Sequence, residues 1–481
     1  MLPAVHLSMP PMTTAATRLG LALRVGPRTA AALIAGGFVL LPLVVVAGTR
    51  TGLLPIMGIA IVGGVAGIVA LRWPLLGLLA FAVLIPVEEV TLVGGTATLS
   101  RLAGLAFATT YALPRLATLR LGVIRPPGWA FVGWAVLSLA WAISTETAWS
   151  ELPTLVQLGV IGLLVGDFVT REPSIVRPVL FAYSLSAAAT AAIGIVSYIS
   201  GLGADVRAAA IEGQNPAQFA AVLLPAFAFG FNEVVAGRRR VVGGVIALLT
   251  LVGVLVSGTR GAWVAIAVIP LFVLPNLSPK RIAAVLTLGA VLLIGAYQVP
   301  GVAKLVSDRT DTAVSSGGAG RTTIWYSGLL IYASAPALGV GYANFSLAYT
   351  PEVLREVYSS YRNSGLGPHN VVIGTLAELG PVGLVLLLLF LLPLVVNRGW
   401  GPDAATVRAS LASLLVIALF LDVVGNRKQV WLMIGLAAGL QYLARREAAS
   451  RAAPKPDAVA TGGRNLARSR GSSDKTPRLG R

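Results

Sequence analysis

HNVVIGTLAELGPVGLVLLLLFLLPLVV, residues 369–396, starts at one of only two histidines in the chain and runs on with a single acid, Glu378, and no base. About 20 consecutive apolar residues are enough for a helix to cross the hydrocarbon of a bilayer. Read as a membrane span, this stretch sets the class of the protein, and the sequence around it agrees. Of 481 residues, 56% are hydrophobic and 12% charged, whereas a soluble domain carries about a quarter charged residues. Mean hydropathy is +0.82. Similar runs recur at 30–48, 52–71, 73–87, 101–117, 128–143, 152–168, 175–200, 216–236, 241–257, 261–275, 281–298, 404–424 and 428–443. With 73–87 and 101–117 short for spans, the pattern predicts an all-α integral membrane protein of about 12–14 transmembrane helices with one long extracytoplasmic loop.

An even count puts both termini on one side. Arg18, Arg24, Arg28, Arg72, Arg120, Arg125, Arg171, Arg177, Arg238–Arg240, Lys280, Arg281 and Arg398 then share that side with the basic tail. Lys and Arg concentrate in cytoplasmic loops, so both termini are expected in the cytoplasm of a bacterial cytoplasmic membrane. The formal charge of +18 is spread over these loops and the tail, which argues against a nucleic-acid partner. Residues 1–29, polar and carrying three arginines, do not read as a cleavable secretory signal. The absence of cysteine excludes disulfides and thiolate chemistry. The expected organisation is a cytoplasmic segment 1–29, transmembrane helices over 30–298, a large outer loop 299–368 with short helices, C-terminal transmembrane helices over 369–443, and a disordered basic tail 444–481. Only Glu378 and Asp422 are read as acids inside spans.

Several arginines break the charge rule by falling outside, among them Arg101, Arg207, Arg260, Arg321, Arg355 and Arg427. Pairing with outer acids is the plain explanation for any one of them. Three sites suggest more. In SGTRGAW (257–263), Arg260 stands in a tight turn between two spans, where a guanidinium needs an anionic partner or water; a lipid diphosphate suits its planar fork. GRTTIWYSGLLIYASAPALGVGYANF (320–345) reads as a surface helix opening at Arg321 and ending at Pro336, followed by a turn at Gly339 and Gly341. PEVLREVYSSYR (351–362) reads as a second short helix, carrying Arg355. His369 falls at the N-terminus of its span, where a cationic imidazole is disfavoured. A neutral histidine there is equally suited to accepting a proton or to hydrogen bonding within the loop. Glu378 is too far along the helix to touch it and reads as a buried hydrogen-bonding or ion-pairing group.

Taken in order, these pieces resemble the O-antigen ligase and polymerase-like membrane proteins over roughly 205–400. His369–Asn370, nine residues, Gly380, two residues, Gly383 fits that family's HN-x9-G-x-x-G pattern. SGTRGAW resembles its arginine turn. GR-x-x-I-W at 320–325 with P-x-x-G-x-G-x-x-N-F at 336–345 resembles the start of its outer loop, and EGQNPAQFA (212–220) its Asn-Pro entry into a span. The resemblance implies a GT-C-like glycosyltransferase that moves a glycan from an undecaprenyl-diphosphate carrier to a hydroxyl on a glycolipid, polysaccharide or protein, with no metal or other cofactor. By motif, His369 would be the base, Asn370 would help position the acceptor, and Arg260 and Arg321 would bind the diphosphate; Arg207 and Arg355 are further, less firmly spaced candidates. The chemistry asks for the same parts: one base for the attacking hydroxyl and fixed cations for the leaving diphosphate.

Three other readings compete. The motifs are shared by ligases and polymerases. Glu88–Glu89 resembles the acidic pair of carboxylate-based GT-C enzymes, although adjacent carboxylates on a helix diverge by about 100°. A transporter would show repeats and mid-membrane charges, and no repeat is evident.

Overall fold

A computed structural model of the chain describes residues 73–88, 98–200, 215–276, 321–349, 367–421 and 425–452, with isolated positions between 278 and 307. All belong to the larger of its two compact units, 70–481. The expected spans 30–48 and 52–71, most of 281–298, the expected helix 351–362, and Glu89, Arg207, Arg355 and Asp422 lie outside the described residues.

The fold is all-α. The described helices are α1 (Pro74–Leu84), α2 (Leu99–Ala112), α3 (Pro126–Leu137), α4 (Thr145–Arg171), α5 (Val176–Ile199), α6 (Pro216–Val235), α7 (Arg240–Val256), α8 (Arg260–Val273), α9 (Arg321–Ser334), α10 (Val371–Val396), α11 (Ala404–Ile417) and α12 (Lys428–Ala452). Among the described residues, four helices are long and apolar enough to cross a membrane: α4, α5 with the turn before it, α6 and α10. α1, α7, α8 and α11 are apolar but shorter. The run read as a span at 101–117 is cut at Ala112, where α2 passes into a 3-10 turn containing Pro114. Proline has no amide donor and clashes with the preceding turn, so the α-ladder stops there. α12 continues past the expected boundary at 443 to Ala452. Its last turns are rich in Ala, Arg and Glu, good helix formers, and Arg451 pairs with Glu447 one turn away at 2.6 Å.

Apolar side chains do not drive helices together in lipid, so close backbone approach matters more. α4 and α12 meet through Gly162 and Gly166 on one helix and Gly435 and Gly439 on the other. A Cβ at Gly435 would sit 2.7 Å from the Gly162 carbonyl oxygen, and one at Gly439 2.7 Å from that of Gly166. Both pairs have four-residue spacing, which stacks them on one helix face.

Two buried acids inside the helices escaped the sequence reading. Asp167 near the end of α4 accepts from Tyr111 Oη at 2.7 Å, the Arg120 amide at 3.1 Å and Arg171 Nε at 2.8 Å. Glu233 near the end of α6 pairs with Arg177 at 2.6 Å, and Arg238 beside it reaches Asp403 at 3.0 Å. Breaking such a buried pair strands a charge, which is why both acids keep cationic partners. These partners come from the basic loops used to orient the chain.

Candidate functional site

α10 is two helices joined across a break. Gly380 has φ +67° and ψ −172°, a conformation that essentially only glycine adopts, and Pro381 restarts the helix. The break frees carbonyls that a helix would have used, and each finds a donor elsewhere. The Val340 amide donates to Ala377 O at 2.9 Å and the Gly341 amide to Glu378 O at 2.8 Å. Trp134 Nε1 donates to Leu379 O at 2.9 Å. The Glu378 carboxylate accepts from the Phe345 amide at 3.2 Å, so this acid serves the loop, in keeping with its distance from His369.

The segment 336–345 is thereby laid against the break, and its other side is held as firmly. Asn344, fully buried, accepts from the Ser144 amide at 2.7 Å and donates to Tyr342 O at 2.8 Å. The Tyr342 amide donates to Ser138 Oγ at 3.0 Å. Gly339 and Gly341 have positive φ, as the expected turn required, and a Cβ on either would lie 2.5 Å from backbone atoms of Glu378 or Ala142. Gly339, Gly341 and Gly380 thus form one contact between the two motifs. Gly380→Ala would place a Cβ 2.7 Å from Ala337 O in a strained conformation, a cost of about 1–3 kcal/mol. The expected result is a lowered Tm for the purified protein, with Ser138→Ala adding a smaller loss at the same loop. An unchanged Tm would show that the break does not depend on glycine.

His369 precedes the first half of α10 with φ +46°, an uncommon conformation outside glycine. Pro368 folds back so that a Cβ at Gly374 would lie 2.6 Å from its ring. Asn370 caps α10: its side-chain oxygen accepts from the Val372 and Ile373 amides at 2.9 and 3.1 Å, leaving the amide nitrogen as the part that could meet a substrate. The Val371 amide is tied to Ala418 O at 2.9 Å, anchoring this end of α10 to the end of α11.

Arg260 begins α8 directly after a turn in which Gly258 has φ +61°. Thr259 Oγ1 donates to Pro216 O at 3.3 Å, joining that turn to the entry of α6, which Asn215 caps through the Ala217 amide at 2.9 Å. Arg321 begins α9, whose Trp325 ring packs 6.4 Å from Phe420. Phe420 also covers the Arg260 turn, since a Cβ at Gly261 would lie 2.8 Å from it. α9 packs on α10, and a Cβ at Gly328 would lie 2.4 Å from Ile373.

The starts of α6, α8, α9 and α10 are therefore gathered at one end of the bundle, and their aligned peptide dipoles favour an anion there. Electrostatics reports the same closeness. Burial, and then the charge of Arg260, lower the Arg321 pKa. Burial, and then the charge of Arg321, hold the His369 imidazole below its ordinary value of 6.5. Neutral His369 was expected from the helix terminus; here desolvation is the larger cause. Trp263 and Trp325, one turn inside α8 and α9 respectively, each bury an indole N–H that meets no acceptor among the described residues. Sequence reading passed over both, although they close the motifs SGTRGAW and GR-x-x-I-W. An unmet buried donor costs about 1–3 kcal/mol, which a ligand oxygen would relieve.

The competing carboxylate, Glu88, follows α1 and is ion-paired with Lys428. Its neighbour Glu89 lies outside the described residues.

Residues 245–388 match the family model described as O-Antigen ligase. The match contains Arg260, Arg321, Arg355, His369, Asn370, Gly380 and Gly383; Arg207 and the Asn215–Pro216 entry fall before it. None of the curated proteins compared matches the chain. Motif order, the helical architecture with its membrane-length helices and the family match agree: residues 245–388 of this membrane protein are O-antigen ligase-like.

Proposed function

We propose that the protein is a glycosyltransferase that moves a glycan from an undecaprenyl-diphosphate carrier to an acceptor hydroxyl at the outer face of the bacterial cytoplasmic membrane, inverting and without a metal. The observation that carries the reading is the convergence of Arg260, Arg321 and His369 from three separate elements: Phe420 covers the Arg260 turn and packs on Trp325 of α9, and α9 lies on α10 behind His369, so that the charge of Arg260 acts on Arg321 and that of Arg321 on His369. In the reaction the acceptor O–H gives its proton to neutral His369 as its oxygen attacks the anomeric carbon. The bond from that carbon to the diphosphate oxygen breaks, and the electron pair leaves on undecaprenyl diphosphate. Arg260 and Arg321 meet that growing negative charge, Trp263 and Trp325 offer further donors, and the Asn370 amide is left to orient the acceptor. Arg207 and Arg355 remain candidates for the same anion. Both termini are assigned to the cytoplasm, and the acceptor is a glycolipid, polysaccharide or protein.

The test is transfer from a purified undecaprenyl-diphosphate-linked glycan to candidate acceptors in nanodiscs, with and without EDTA. Transfer that persists in EDTA and stops with His369→Gln in a folded protein supports the reading. Loss of activity in EDTA would favour the carboxylate-based alternative, and products lengthened by repeated addition would identify a polymerase of the same superfamily.

A further inference from the structure

The end of α10 away from His369 carries a different cluster, fixed by two joints. Gln441 Nε2 of α12 donates to Pro393 O at 2.7 Å and Leu394 O at 3.1 Å, near the end of α10. The start of α3 lies on the same helix, since a Cβ at Gly128 would sit 2.7 Å from the Phe390 ring. The 3-10 turn Leu121–Val123, which leads into α3, packs on α12 with Val123 fully buried. Arg125, just before α3, and Arg445, one turn beyond Gln441, are thereby brought to one junction.

These two cations have no ion-pair partner among the described residues. Asp167 is engaged by Arg171 and Glu447 by Arg451, and Glu172, after α4, pairs with neither. Burial, and then the charge of Arg125, lower the Arg445 pKa. An exposed arginine has the rotamer freedom to swing away from a like charge. Arg445 instead folds back over its own helix. Its Nε donates to Gln441 O at 3.4 Å, and its guanidinium carbon stands 5.9 Å from the centre of the Tyr442 ring, within cation–π range. Two guanidiniums held near each other without a carboxylate suit an anion with several oxygens. Side chains would hold it rather than the end of α3, whose first residues, Pro126 and Pro127, offer no amide hydrogen.

The surroundings of the pair select the source of that anion. Trp129 lies four residues after Arg125, one turn into α3 on the same face. It is 37% exposed, its Nε1 donates to Leu121 O at 3.4 Å, and Leu121 is itself 59% exposed. On α12, Tyr442 lies about one turn inward of Arg445. Each cation thus has an aromatic ring one turn nearer the middle of the bundle. That is the order of headgroup and interface in a bilayer, where Trp and Tyr rings concentrate. A soluble phosphate would meet the arginines and leave Trp129 and Leu121 bare, whereas a phospholipid covers all four. Basic pockets between membrane helices take anionic headgroups in this way.

We infer that the Arg125–Arg445 junction binds the phosphodiester of an anionic glycerophospholipid, with its acyl chains along Trp129 and Leu121. The site is distinct from the one proposed for the glycan donor and does not depend on that reading.

The test uses the full chain without donor. Native mass spectrometry counts the lipid retained after transfer from mixed phosphatidylglycerol and phosphatidylcholine nanodiscs into detergent, and Tm is measured in nanodiscs of each composition. Phosphatidylglycerol should be retained in preference and should raise Tm. Arg125→Gln and Arg445→Gln should each weaken its retention about tenfold or more, as expected for a lost charge-assisted hydrogen bond, with partial recovery in the lysine variants. Trp129→Ala should weaken it too, and Arg451→Gln should leave it unchanged. Undiminished retention in both glutamine variants would overturn the inference; should one of them fail to fold, the other decides. Equal loss in Arg451→Gln would also overturn it, by making the attraction a diffuse property of the basic end of α12. So would inorganic phosphate reproducing the gain in Tm in phosphatidylcholine nanodiscs, which would assign the pair to a soluble anion.

Discussion

His369→Ala is expected to lower the proposed glycan transfer by ~10²–10⁴-fold, the range a positioned general base contributes, in a protein that still folds and still binds donor. The expectation rests on where the side chain is held. Its backbone is turned to φ +46°, Asn370 and Ala418 fix the helix start just behind it, and Arg321 stands close enough to act on its charge. The pH dependence has a definite sign. Burial and Arg321 both disfavour the imidazolium, so the neutral base predominates at pH 7, and kcat/KM should hold down to below pH 6.5 before falling as the imidazole protonates. His369→Gln keeps most of the volume and should be as inactive as alanine. A variant that transfers at the wild-type rate, or a flat profile through the acid limb, removes His369 from the reaction.

Arg321→Gln should lower kcat by about 10²–10³-fold, the scale seen when one fixed donor to a developing anion is lost, and should also move the acid limb of the pH profile upward. Arg321 contributes to depressing the His369 pKa; without that charge the imidazole protonates at higher pH. Arg260→Gln should cost a similar factor in kcat with a smaller movement of the limb, because the charge acting directly on His369 is that of Arg321. Lysine should not restore either site fully, since an ammonium cannot present the guanidinium's paired donors to a diphosphate. Paired pH–rate profiles of the two variants separate a shared electrostatic site from two structural arginines. If both lose rate and neither limb moves, Arg321 acts on folding or binding rather than on the base.

Local pattern carried much of this. Hydropathy predicts an all-α membrane protein because a long apolar run has few other ways to satisfy its backbone in lipid. The helix from Arg321 to its end before Pro336, the turn at Gly339 and Gly341, and the start of α10 behind His369 all follow from nearest-neighbour chemistry: proline without an amide, glycine at positive φ, asparagine as a cap. Asp167 and Glu233 could have been found in the same way by counting acids inside the runs, and the four-residue glycine pairs of α4 and α12 by their spacing.

Other features were beyond local pattern because they depend on residues far apart in the chain. Nothing near Gly380 says that the carbonyls freed by its break are met by residues 340 and 341 and by Trp134. Residues 260, 321 and 369 become neighbours only once Phe420 covers the first turn, Trp325 packs on that ring and α9 lies on α10. Hydropathy sets the solvent the chain folds in, and short motifs nominate the proposed base and cations, since these are properties of single residues and short runs. Which of the many arginines stand near the histidine, and which pair with Asp167 and Glu233, follows from packing between distant segments, because Coulomb interaction depends on distance and burial rather than on order along the chain.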